Sequence, residues 1–149
     1  MNELLHKGLS RQSANQVKLE FLSRSENVAL ARLLAAAMAA EKEISIAELD
    51  EIKVAVSEAV SNAIIHGYQG KSDCLVTLTL TMKEKRLSIS VHDDGIGIPD
   101  IEQAMKPNFS SHGDRMGLGF AFMHSFMDAV EVASLPGEGT TVVMHKDFL

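Results

Sequence analysis

Residues 87–93, LSISVHD, alternate Leu87, Ile89 and Val91 on one face with Ser88, Ser90 and His92 on the other. This is the period-2 signature of a strand with one buried face. The same count puts Asp93 in the apolar row. A buried ionised carboxylate is costly unless hydrogen-bond donors meet it, yet Gly95, Gly97 and Pro99 follow rather than a donor side chain. The pattern demands a sheet with one oily face, ending in an acid that something else must satisfy.

Composition narrows the class of protein. A chain of 149 residues with 46% hydrophobic content can bury one substantial core, so a single domain is expected. The formal charge of −6 argues against nucleic acid as the main partner, because phosphate binding needs a basic surface. Cys74 is the only cysteine, which leaves no disulfide framework and no thiolate zinc cluster. The opening MNELLHKGLSRQ has no apolar run of signal-peptide length, and no later stretch is long enough to cross a bilayer, so a cytoplasmic location is expected.

Periodicity then sets out the elements. Residues 1–16 are polar without a clear period and read as a flexible tail, with the domain proper over 17–149. Val17, Leu19 and Phe21 alternate as a short strand. Ser23 with Glu26 has the form of a capping box before a helix carrying Val28, Ala31, Leu34, Ala35 and Met38. A second box, Ser45 with Glu48, opens a longer helix whose apolar members run from Leu49 through Ile52, Val56 and Ala59 to Ala63, with Gly67 to end it. Val76 to Met82 and Leu87 to Val91 read as a hairpin turning at Lys83–Lys85. Pro99 to Met116 reads as a long lid-like loop. An apolar helix over 120–126 and two strands around Val130, Val132 and Val142–Met144, joined by Pro136-Gly137-Glu138-Gly139, close the chain. The fold class is α+β, a two-layer α/β sandwich whose mixed, mostly antiparallel sheet carries helices on one face.

Three sets of residues could carry chemistry. Glu58 and Asn62 stand four apart, hence one turn from each other on one side of the helix. They also belong to a polar stripe with Asp50, Lys53, Ser57 and Ser61, and spacing alone favours a solvated face. His66, at the helix end, reads as a capping or packing histidine, since no ligand cluster accompanies it. Asp93 is the sharper signal: an exocyclic amine such as adenine N6 would satisfy it, while Gly95 and Gly97 would let the backbone approach a flat ring. Gly117-Leu118-Gly119 offers bare amides at a helix start, where anions are favoured. GLGFAF lacks the third glycine of a dinucleotide fingerprint, and no Walker loop is present.

Taken in order, Glu58…Asn62…His66-Gly67, then Asp93-Asp94-Gly95-Ile96-Gly97, then Gly117-Leu118-Gly119, then Gly139-Thr140-Thr141, resemble the N, G1 and G2 boxes and closing Gly-Thr of the Bergerat-fold ATPase and kinase superfamily. SEAVSNAIIHGY, DDGIGIPDIEQA and FMDAVEVAS are similar to the sporulation anti-sigma serine kinases within it, from about Val17 to the end. The resemblance implies an ATP-binding sandwich with Mg²⁺ held by Asn62, the adenine amine by Asp93 backed by Thr140, and Glu58 as base for an attacking serine hydroxyl. Gly95, Gly97, Gly117, Gly119 and the lid residues Ser110 and Ser111 would complete the nucleotide site. His112 stands where relatives carry a lysine, and Arg115 takes its place as the lid cation. The implied partners are a sigma factor and an anti-anti-sigma factor that is phosphorylated, with Arg32 at the partner surface and two protomers pairing. A stress-response-type anti-sigma kinase and a non-catalytic, nucleotide-gated binding module are the alternatives.

Overall fold

The computed structural model describes residues 14–106 and 116–149 of the chain. Five strands form one sheet: β1 (Ala14–Leu22), β2 (Leu75–Lys83), β3 (Arg86–Asp93), β4 (Ala129–Leu135) and β5 (Gly139–Asp147). Their spatial order is β1-β2-β3-β5-β4, and each neighbouring pair is antiparallel. The expected mixed sheet is therefore corrected to an antiparallel one. The chain leaves β3, crosses to the edge as β4, and returns by a tight hairpin so that β5 slots in beside β3.

The alternation does what its period requires. Leu78, Leu80, Leu87 and Ile89 have no exposed surface, and Val76, Val91 and Met144 join them on the same side. The register sets Leu19 against Leu78, Leu80 against Ile89, and Ile89 against Met144, which keeps apolar rows in line across four strands. Threonines, serines and histidines occupy the other face, half-buried by one another.

Helices α1 (Asn27–Ala39) and α2 (Ile46–Asn62) cover the apolar face, burying Ala31, Ala35 and Met38 from the first and Ile52, Ala55, Val56, Ala59 and Val60 from the second. Small residues on α1 let it approach closely. The expected cap at Ser45 is present, its side chain accepting from the Glu48 amide at 3.1 Å. Beyond Asn62 the helix widens into a π-turn over Ala63–Gly67, closed by Tyr68 N–H donating to the Ala63 carbonyl at 2.9 Å. The helical segment stops at Gly67, as the sequence indicates. In the expected lid, α3 (Ile101–Ala104) is a single turn capped by Asp100, and α4 (Met116–Phe126) follows. Among the described residues no helix is long and apolar enough to cross a membrane.

Two boundaries differ from expectation. β1 begins at Ala14, because Ala14, Asn15 and Gln16 find partners in Lys83, Met82 and Thr81, so the last three residues of the expected tail belong to the sheet. Ser23 does not cap α1. It is 1% exposed, donates to the Lys71 carbonyl and accepts from the Cys74 amide at 3.1 Å, while Arg24 takes the Glu26 carboxylate at 2.9 Å. Helix α1 starts after a turn, at Asn27, with no side-chain cap. A buried serine holding two backbone groups is worth more than a cap: Ser23→Ala is expected to cost about 1–3 kcal/mol against about 1 kcal/mol for Ser45→Ala, read from the urea midpoints of the two variants.

Candidate functional site

The end of β3 places Asp93 between Val76 on β2 and Thr140 on β5, 3% exposed. Its Oδ1 accepts from the Gly95 amide at 2.9 Å. Burial pushes the carboxyl up, although the amides of Gly95 and Thr140 and the neighbouring His92 pull the other way. Backbone crowds this carboxylate from the π-turn: a Cβ at position 67 would lie 2.6 Å from Oδ1, and one at position 95 would lie 2.1 Å from the Gly67 carbonyl oxygen. These glycines permit a contact that no side chain would allow, and the Gly67 carbonyl accepts from Ile96 N–H at 3.0 Å.

Glu58 and Asn62 lie just before the π-turn on the same helical segment. Both are half-buried and face the start of α4, where a Cβ on Gly119 would meet Glu58 Oε2 at 2.9 Å and the Asn62 amide at 3.3–3.4 Å. Their stripe is thus divided. Asp50 stays exposed, whereas Glu58 and Asn62 lie under a helix that sequence spacing could not place. Asn62 Nδ2 is buried and has no hydrogen-bond partner among the described residues. Such an atom is rare in a finished core and marks a side chain whose partner comes from elsewhere.

Between Asp93 and Asn62 runs a narrow cleft, its walls including Ala63, Val91, Ile98, Phe120 and Val142, with Asn62, Asp93 and Thr140 as polar points. It opens past His66, Gly97, Ile98 and Met116 into a wider groove beside α3. An apolar slot with a few convergent polar groups suits a flat, partly polar ligand. Gly97 reaches this position with a φ of 76°, its Cα pressed against the Leu135 carbonyl. Gly117 is buried against the Lys106 carbonyl. The structure therefore brings Asn62, Asp93, Gly97 and Thr140 into the lining of one cleft, with His66 on its wall, while Glu58, Gly95 and Gly119 stand behind it, Gly119 against Glu58 and Asn62 and Gly95 against Gly67 and Asp93. Ser110, Ser111 and Arg115 lie outside the described residues. Arg32 is not in the lining; it projects from α1 and donates to Ser57 Oγ on α2 at 3.2 Å.

Sequence reading missed Tyr68 and Ser134. The Tyr68 hydroxyl accepts from the Asp94 amide and the Ser134 hydroxyl from the Ile98 amide, each at 2.7 Å. Nothing in their local patterns marks them, because their partners are distant in the chain.

The raised carboxyl of Asp93 has a consequence for stability. A fold that favours the protonated acid is most stable below the ordinary carboxylate range and loses that contribution as pH rises through the folded value. Asp93→Asn removes the ionisation. In ligand-free protein the variant is expected to melt above the wild type at neutral pH, with the difference shrinking as pH falls through the carboxylate range, as followed by thermal midpoints across pH.

Residues 21–146 match the histidine kinase-like ATPase domain family. Among curated proteins, the anti-sigma F factor of Clostridium beijerinckii is 48% identical over 138 residues, covering 91% of this chain and 96% of that protein. The anti-sigma F factor of Clostridium acetobutylicum is 46% identical over 136 residues, covering 90% and 94%. Among solved structures, the histidine kinase domain of the blue-light activated histidine kinase from Erythrobacter litoralis EL346 superposes with a TM-score of 0.53 at 25% identity, over 70% of this chain and 46% of that one. The RsbU and RsbW domains of Rv1364c from Mycobacterium tuberculosis give 0.64 at 18% identity, over 89% and 32%, a likeness of fold. An ATPase-family match across most of the chain, and relatives nearly half identical along almost their full length, agree with the cleft just described: the chain belongs to the anti-sigma F factors of the histidine kinase-like ATPase family.

Proposed function

We propose that this chain is an anti-sigma factor with protein serine kinase activity, holding a sporulation sigma factor inactive and using ATP to phosphorylate a serine on an anti-anti-sigma partner. The observation that carries the reading is the layout of the cleft: the buried carboxylate of Asp93 at its floor on β3, and Asn62, with Glu58 one turn before it, on the helix that packs over that strand end. In this reading the adenine amine donates to Asp93, and Thr140, beside it on β5, supports the base edge. Gly95 and Gly97, packed on the Gly67 and Leu135 carbonyls, shape the loop that borders the ring. The amides around Gly117 and Gly119 face the phosphates, with Ser110, Ser111 and Arg115 contributed by the lid.

Asn62 fits a role as magnesium ligand through its amide Oδ1, a hard oxygen on a side chain that lines the cleft and lies with Glu58 against Gly119. Mg²⁺, when bound, would neutralise charge on the phosphates. Glu58 then accepts the proton of the attacking serine hydroxyl while the serine oxygen bonds to the γ-phosphorus and the bond to the β-phosphate oxygen breaks, releasing ADP. A general base contributes rate and not nucleotide affinity. Glu58→Gln is expected to slow phosphoserine formation by ~10²–10⁴ with ATP binding retained, measured by mass spectrometry of the partner and by calorimetry. A normal rate would show that Glu58 is not the base, whereas a wild type that forms no phosphoserine would leave a nucleotide-gated binding module as the function.

The partner surface in this reading is the outer side of α1, where Leu30 and Leu33 are more than half exposed beside Arg32. In this reading two copies also pair in the same region. Arginine in such a setting is a common interface anchor. Arg32→Ala is expected to weaken capture of both partners by more than about 1 kcal/mol while ATP affinity holds, since Arg32 does not line the cleft; a titration against each partner and a nucleotide titration check the two halves.

A further inference from the structure

The segment after Asp93 is held at both ends by side-chain hydroxyls. At its start, Asp94 N–H donates to Tyr68 Oη at 2.7 Å, and Tyr68 Oη donates to the Leu75 carbonyl. In its middle, Ile96 N–H donates to the Gly67 carbonyl at 3.0 Å and the Ile96 carbonyl accepts from Gly137 N–H at 2.7 Å. At its end, Ile98 N–H donates to Ser134 Oγ at 2.7 Å, and Ser134 lies 3.0 Å from the Gly139 carbonyl and 2.8 Å from Thr140 Oγ1, either of which can take its proton. Tyr68 comes from the turn after α2, and Ser134 from the edge strand β4. Neither lines the deep cleft. Burial, reinforced by the carboxylates of Asp93 and Asp94, pushes the Tyr68 phenol up although its bond from Asp94 pulls the other way, so it remains a donor at neutral pH.

We propose that the Tyr68 and Ser134 hydroxyls are positioning groups for base selectivity, fixing segment 94–98 so that Asp93 and Thr140 distinguish a 6-amino purine nucleotide from a 6-oxo one. The inference rests on the assignment of Asp93 to the adenine amine. A carboxylate only accepts, so it favours an amine and repels a carbonyl oxygen at the same place. That discrimination requires both acceptor and base to be held; a segment free to shift admits water between them and relaxes the choice. The two backbone ties to residue 96 cannot be removed by changing a side chain. The two hydroxyls can, one oxygen at a time.

The test is calorimetric titration of ATP and of inosine triphosphate, each with Mg²⁺, into wild type, Tyr68→Phe, Ser134→Ala and Ser134→Thr, with thermal midpoints recorded for each protein. Loss of one such hydrogen bond is expected to lower the ATP-to-ITP affinity ratio roughly fivefold to tenfold in Tyr68→Phe and Ser134→Ala, and Ser134→Thr, which keeps the hydroxyl, restores the ratio. A merely structural role would lower the midpoints and leave the ratio unchanged in folded protein, which overturns the proposal. If Tyr68→Phe does not fold, the Ser134 pair decides alone. Asp93→Asn separates the two levels. A wild-type preference that Asp93→Asn abolishes and the hydroxyl variants preserve overturns the positioning role only, whereas no wild-type preference, unaltered by Asp93→Asn, overturns the base assignment as well.

Discussion

The carboxylate of Asp93 lies at the end of a central strand, 3% exposed, against the backbone of Gly67 and with the Gly95 amide donating to it. Water would solvate this group far better than the protein does, and the upward push on its carboxyl is the mark of that cost. The surroundings follow from accommodating it. Positions 67 and 95 must lack side chains, the π-turn must bring the Gly67 carbonyl to Ile96, and β5 must bring Thr140 alongside. A neutral residue would relieve the cost of the buried charge, though not the crowding of position 95 on the Gly67 carbonyl, and the proposed adenine contact is what the charge would serve.

Helix α2 is the spine that converts this local arrangement into a site. One side of it is core, with Ile52, Ala55, Val56 and Val60 at no exposed surface. A neighbouring side carries Glu58 and Asn62 beneath Gly119 of α4. Because α2 is one rigid element packed on the sheet, the distance between Asp93 at the end of β3 and Asn62 on α2 is set by helix-on-sheet packing rather than by loops. Asn62 Nδ2 is left without a partner among the described residues, a second place where the fold forgoes stability at the cleft.

The opposite face of the sheet has its own role. His92 bridges Thr141 and Asp94 at 2.7 and 2.8 Å, and Ser88 meets His145 at 2.9 Å, so the polar side is stitched by hydroxyl–imidazole pairs. The bridge from His92 ties the strand ends that carry Asp93 and Thr140 from behind, while Tyr68 and Ser134 hold the following segment from the sides.

Much of this architecture was written locally. A period of two determined the strand faces and put Asp93 on the buried one, because side-chain direction in a strand depends only on residue count. A period near 3.6 gave the core stripe of α2, and Ser45 with Glu48 gave its start, because a cap bonds within its own turn. Tertiary structure decided the rest, wherever partners lie far apart. Ser23 has a capping pattern, yet residues 48 and 51 positions later captured it. Glu58 and Asn62 were indistinguishable from a solvated stripe until α4 packed over them, since periodicity fixes a side but not what covers it. Tyr68 and Ser134 act on amides 26 and 36 positions away. The insertion of β5 between β3 and β4 likewise has no local signal, because strand order is settled by which edges meet once the apolar faces are buried together.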